Sequence, residues 1–180
     1  MLIAEDGTDN MEQSHLNCLR RNLASFKRHL DPAVGDGDCA FRSVIVRLRK
    51  TKEWNDQNAT LMEHLVGLGL GKGLDEDVFQ LCQCFVDTVQ SNEHYLMFSG
   101  IPLDTINDKT KRFRDQGSFC DEIGDLVIKV CSDILKVPIF VITSINGCSY
   151  LSFIPEETII GTTIYIAILL AVLAIMMVPC

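Results

Sequence analysis

The sequence predicts an α+β protein, α/β-like in layout, with helices packed on a small central β-sheet. Three observations carry that expectation. Apolar residues recur at helical spacing through most of the first 135 positions. A β-branched run, "PIFVITS" (138–144), is followed by Asn146-Gly147 and then "SYLSFI", which is the pattern of a hairpin. Helices therefore come first and strands cluster late, without the strand–helix alternation of a parallel sheet. A chain of 180 residues is long enough to bury a sizeable core.

Taken in order, residues 1–10 are expected to form a polar, loose start. Between 11 and 30, Leu16, Leu19, Leu23, Phe26 and Leu30 share one helical face. Arg20, Arg21, Lys27 and Arg28 fall mostly off it. Asp31-Pro32 breaks this helix. A glycine turn follows, and a second helix is expected over 39–50, with Phe41, Val44, Ile45 and Leu48 inward and Arg47, Arg49 and Lys50 at its C-terminal end. "VGLGLGKG" (66–73) lacks the Lys-Ser/Thr of a phosphate loop and reads as an interhelix loop. Asp75, Glu76 and Asp77 open a helix reaching about Gln90, with Val78, Cys82, Phe85 and Val89 inward. A further helix opens near Asp121 on the stripe Ile123, Leu126, Val127, Val130 and Ile134, and Pro138 ends it.

The net charge of −8 argues against nucleic acid as a partner, because phosphate binding needs a basic face. The first ten residues have neither the basic nor the apolar region of a signal peptide. The eight cysteines are therefore expected to be reduced, in a domain facing the cytoplasm. Cys82 and Cys84 form C-x-C with no second ligand pair, so they read as small core residues and no metal is expected. No other cofactor is implied.

"VGDGDCAFRS" (34–43) carries the chemistry. Cys39 stands where a turn meets a helix, and the unpaired N–H groups of a helix start favour a thiolate. Glycines let the preceding backbone turn tightly and aim its N–H groups at one point, as an oxyanion hole requires. The competing reading is an aspartate-capped turn followed by a buried cysteine, with Asp36 or Asp38 as the cap.

"GDGDCAFRSV" closely resembles the active-site signature of the ovarian tumour (OTU) family of cysteine proteases, which remove ubiquitin from proteins. The pattern is met by Gly35, Asp36, Gly37, Asp38, Cys39, Phe41 and Arg42. "CFVDTVQSNEHYLMF" and "GSFCDEIGDLVIKVCSDILKVPIFVITS" resemble later family segments, with Phe119 where tryptophan is usual. The resemblance spans about Pro32 to Ala167. It implies a papain-type cysteine protease core, Cys39 as nucleophile, Asp36 as supporting acid, and the backbone at Gly37 and Asp38 as oxyanion loop. It implies ubiquitin or ubiquitin-like conjugates as partners. The family's base is a histidine just after a strand resembling "TTIYIA" (162–167), and here "ILLAVLAIMMVPC" follows with none. His15, His29, His64 and His94 match no family position. The implied function is a cysteine-type deubiquitinase; the alternative is a catalytically inactive ubiquitin-binding module.

The C-terminus has two readings. Ile159 to Val178 holds no charged residue, and about twenty apolar residues suffice for a transmembrane helix. On that reading the cytoplasmic domain is anchored to a membrane. On the other, Thr162 to Ala167 belong to the sheet, and the end is divergent or truncated. The expected organisation is an N-terminal helical extension at 1–31, an OTU-like domain at 32–167, and a hydrophobic tail at 159–180 overlapping the last strand.

Overall fold

A computed structural model of the chain describes residues 7–29, 38–92, 94–95, 103–115, 124–159 and 163–168. Among them are α1 (Gly7–Ser25), α2 (Cys39–Arg49), α3 (Lys52–Asn55), α4 (Ala59–Gly67), α5 (Leu74–Ser91), α6 (Leu103–Arg112) and α7 (Gly124–Leu135). Three strands follow: β1 (Ile139–Ile145), β2 (Cys148–Phe153) and β3 (Ile164–Ile168). They form one sheet in the order β2-β1-β3. The fold is thus mixed α+β, with helices first and a small sheet last.

The chain divides into two compact units. One comprises Met1–Pro32, Phe140–Ser152 and Tyr165–Cys180; the other comprises Ala33–Ile139 and Phe153–Ile164. In the first, Leu19 and Leu23 of α1 pack on Ile142 of β1, with Phe26 and Tyr165 against them. Asn22 is buried beside this cluster, and its amide donates to the Thr143 carbonyl at 2.8 Å. Gly147 (φ 83°) turns the β1–β2 hairpin, at the site where Asn146-Gly147 predicts it.

In the second unit, α2 packs on α5 and α7, and α5 on α6 and α7. Phe41, Phe85 and Phe113 meet edge to face, with ring centroids 5.3 to 5.9 Å apart, and all three are buried. That arrangement is favourable for aromatic quadrupoles beyond the area it buries. Residues 68–73 form the loop between α4 and α5, while Val66 and Gly67 of the expected loop belong to the end of α4.

Four helices end in the same left-handed turn. Lys27, Gln57, Gly69 and Lys136 have φ between 51° and 77°. In each case the next N–H bonds a carbonyl five residues back: Arg28 to Leu23, Asn58 to Glu53, Leu70 to Leu65, and Val137 to Ser132. This closes the last carbonyls of the helix. The first ending falls at Phe26–Lys27, so α1 stops at Ser25, short of the break expected at Asp31-Pro32.

The expected membrane-spanning tail is overturned, and the anchored localisation with it. Ile164–Ile168, inside the apolar run, is strand β3, paired with β1. Ile164 and Ile166 are buried and Tyr165 is partly so, the alternation of a strand. Residues committed to a ladder cannot also supply the first turns of a spanning helix, and only about ten apolar residues follow β3 before Pro179, half of what a span needs. Among the described residues no helix is long and apolar enough to cross a membrane.

Candidate active site

Cys39 is the first residue of α2. The helix starts there because Asp38 (φ −94°, ψ 8°) is the last non-helical residue, and its carbonyl accepts the first helical hydrogen bond, from Arg42 N–H at 2.9 Å. Phe41, Val44, Ile45 and Leu48 are buried at the i, i+3, i+4, i+7 spacing and hold the helix down. Cys39 itself is half-buried and is a thiol rather than half of a disulfide. It therefore occupies the positive end of the helix dipole, where a thiolate is favoured.

Asp38 is 4% exposed and makes no side-chain cap to α2. The aspartate-capped turn is thus not what Asp38 forms. Its carboxylate instead faces α5, where the Cys82 thiol lies 4.0 Å from Oδ1. Asp36 and Gly37, the other members of the expected site, lie outside the described residues.

Two ion pairs tie α2 to α5. Arg42 Nη1 reaches Asp75 at 2.7 Å, and Arg49 Nη2 reaches Asp77 at 2.5 Å. Asp77 is only 1% exposed. Its other oxygen accepts the N–H groups of Gly71 and Lys72 at 2.9 and 3.0 Å. The glycine loop that resembles a phosphate cradle is therefore an anion cradle occupied by the protein's own carboxylate. The sequence signal for Asp77 was an acid in a helix first turn, which does not distinguish a solvated residue from a buried one. Cys82, likewise, reads from sequence as core, and it is buried; its neighbour Asp38 is what the sequence does not reveal.

Two other thiols, Cys84 and Cys131, are made harder to ionise by their surroundings. Burial pushes Cys131 well above its ordinary value, with Cys82 and Cys84 adding to the effect, and burial also raises Cys84. Among the described residues no group of three His, Cys, Asp or Glu is arranged to hold a metal ion.

The histidines are placed as follows. His15 Nδ1 lies 3.3 Å from the Ser144 hydroxyl. His64 Nε2 donates to the Ile134 carbonyl at 2.8 Å, tying α4 to the end of α7. His29 and His94 are exposed, and the His94 ring stands edge-on to Tyr95. His64 is thus occupied in closing the orphan carbonyls of a helix end.

No family model, curated protein or solved structure matches the chain. What the fold defines is a mixed α+β protein whose second unit presents a cysteine thiol at a helix start, beside a buried aspartate.

Proposed function

We propose that this chain is an OTU-like cysteine-type deubiquitinase acting on ubiquitin or ubiquitin-like conjugates. The observation that carries the reading is Cys39 as the first residue of α2, directly after the sequence Gly-Asp-Gly-Asp. In this role the Cys39 thiolate attacks the carbonyl of a ubiquitin–lysine isopeptide bond. Backbone N–H groups at Gly37 and Asp38 receive the oxyanion, and Asp36 supports the base. The tetrahedral intermediate collapses by expelling the lysine amine, which must take up a proton, and water then releases ubiquitin from the thioester. General acid–base assistance to such steps is worth ~10²–10⁴-fold.

A second reading, an inactive ubiquitin-binding module, is favoured by one observation: no histidine follows β3 in the sequence. One experiment separates the two. The full chain is incubated with ubiquitin carrying a C-terminal electrophile, and the adduct is mapped by mass spectrometry. Labelling at Cys39, abolished in Cys39→Ala, supports the deubiquitinase. Ubiquitin binding without labelling supports the module. Neither labelling nor binding refutes both.

A further inference from the structure

The first unit carries a feature unrelated to Cys39. Left-handed Lys27 ends α1 and, through the Arg28 N–H bond to the Leu23 carbonyl, directs Arg28 across the sheet. The Arg28 guanidinium lies over the Tyr165 ring, 4.4 Å from its centroid. Tyr165 of β3, Phe140 of β1 and Tyr150 of β2 form one aromatic row, with centroids 5.5 and 5.8 Å apart. Phe26 closes the row, edge-on to Tyr150. Tyr150 remains 46% exposed, and Lys27 and Arg28 are exposed.

The described residues around this row carry charge of one sign; Asp31, three residues beyond Arg28 in sequence, lies outside them. Residues 13–29, 140–152 and 165–168 hold Arg20, Arg21, Lys27 and Arg28 and no aspartate or glutamate, in a chain of net charge −8. The acids of α1, Asp9 and Glu12, lie toward its other end, roughly 20 Å or more from Arg28 at 1.5 Å per residue. A guanidinium stacked on a ring keeps its N–H edge directed outward in a fixed plane, which suits a carboxylate. An exposed aromatic beside it offers apolar contact at low entropic cost.

From this combination we infer that the Phe26–Arg28–Tyr150–Tyr165 surface docks an acidic peptide segment of a partner protein. Its carboxylates meet Arg28 and Lys27, and an apolar or aromatic side chain meets Tyr150. A phosphate backbone is the less suitable ligand, because the chain's net charge of −8 repels a long polyanion while Lys27 and Arg28 suffice for a short acidic segment.

The test is fluorescence anisotropy with the full chain and a labelled peptide of about eight residues alternating Glu with Phe or Leu. Binding is expected, weakening with salt. Arg28→Glu and Tyr150→Ala each reduce affinity about tenfold or more, while Arg112→Glu, on α6, leaves it within about twofold. Arg28→Gln serves as the milder variant, and circular dichroism checks that each variant is folded. No binding, or equal binding by Arg28→Glu, overturns the inference. Equal binding by an all-Glu peptide removes the aromatic contact and overturns it as stated. Tighter binding of a single-stranded oligonucleotide overturns the choice of ligand. A dimer dissociated by Arg28→Glu would mean that a second copy of this chain is the occupant, and also overturns it.

Discussion

Replacing Asp77 should cost more stability than replacing any other acid described in the structure. The carboxylate is buried and serves three donors: Arg49 and the N–H groups of Gly71 and Lys72. Breaking a buried ion pair by removing one partner costs about 3–5 kcal/mol, because a charge is left uncompensated. The Arg49 side chain is 27% exposed, so water relieves part of that. Against this, Arg49 Nε is already buried with no hydrogen-bond partner among protein groups, which makes the Asp77 contact its main compensation. Gly71 and Lys72 are exposed, so their N–H groups recover solvent bonds and add little. The expected cost of Asp77→Ala is therefore about 2–4 kcal/mol, a large part of a typical 5–15. Asp77→Asn keeps an acceptor for the loop and should fall between. The contrast is Asp75→Ala: Asp75 is 75% exposed, and its pair with Arg42 should be worth about 0–1 kcal/mol. Urea unfolding reads the difference as a shift of the midpoint at constant slope. If Asp77→Ala lies within about 0.5 kcal/mol of the parent, the cradle is not what holds the α4–α5 loop to α2, and the reasoning fails.

Gln57 is an exposed residue at φ 51°, a conformation that costs an L-residue roughly 1–2 kcal/mol and glycine almost nothing. Gln57→Gly should raise stability by about 0.5–1 kcal/mol, or roughly 1–4 °C in Tm for a chain of this size; a loss would mean that the turn tolerates glutamine without strain. Phe113→Ala should cost about 3–5 kcal/mol in urea unfolding, because it opens a cavity against Phe41 and Phe85; a cost under 1 would mean the site collapses freely. Stability should fall in alkali. Cys131 is raised above 9.0, and Tyr95, buried with its hydroxyl donating to Asp133 at 2.6 Å, is raised above 10.0. Between the ordinary and the raised value the unfolded chain has lost the proton while the folded chain keeps it, so unfolding gains ground as pH rises. Stability measured from pH 8 to 11 should decline above about 9, and Tyr95→Phe should flatten the part above about 10; an unchanged slope refutes the assignment to Tyr95.

The parts of the fold legible in the sequence are those where one local signal dominates. Phe41, Val44, Ile45 and Leu48 mark α2 because every member of the stripe is apolar, and Asn146-Gly147 marks the hairpin because few dipeptides take its φ values. Helix α6 was not legible: among its described side chains only Ile106 and Thr110 are buried, with Phe113 just past its end, and charged residues fill the spaces. Its cohesion comes from Phe113 meeting two distant phenylalanines, a contact no window of sequence contains. Three of the four left-handed helix ends carry lysine or glutamine where glycine is the expected signal. At the site, the helix start at Cys39 was legible from the glycine turn. The direction taken by Asp38 was not, since a residue in that position serves equally as a cap. The tail misleads because a buried strand and a membrane helix ask for the same residues, and length alone separates them.

The two ion pairs also bear on the thiol. Asp38 lies beside Cys82 and Phe41 beside Phe85, near the middle of α5, while Arg49 meets Asp77 near the start of α5. Arg42 also reaches the first turn of α5, at Asp75, so the register of α2 on α5 is set by contacts from both ends of α2. The ties are unequal. The buried Asp77 fixes the end of α2 distant from Cys39, and the solvated Asp75 is the weaker tie near the thiol. Packing of Phe41 on Phe85 and Phe113 does the remaining work at the Cys39 end. A helix held this way keeps its first turn in a constant position relative to α5. The dipole at such an end favours negative charge on the thiol. In the proposed reaction that first turn only orients and favours the attacking sulfur; expelling the lysine amine needs a proton donor besides it, a step whose assistance is worth ~10²–10⁴-fold.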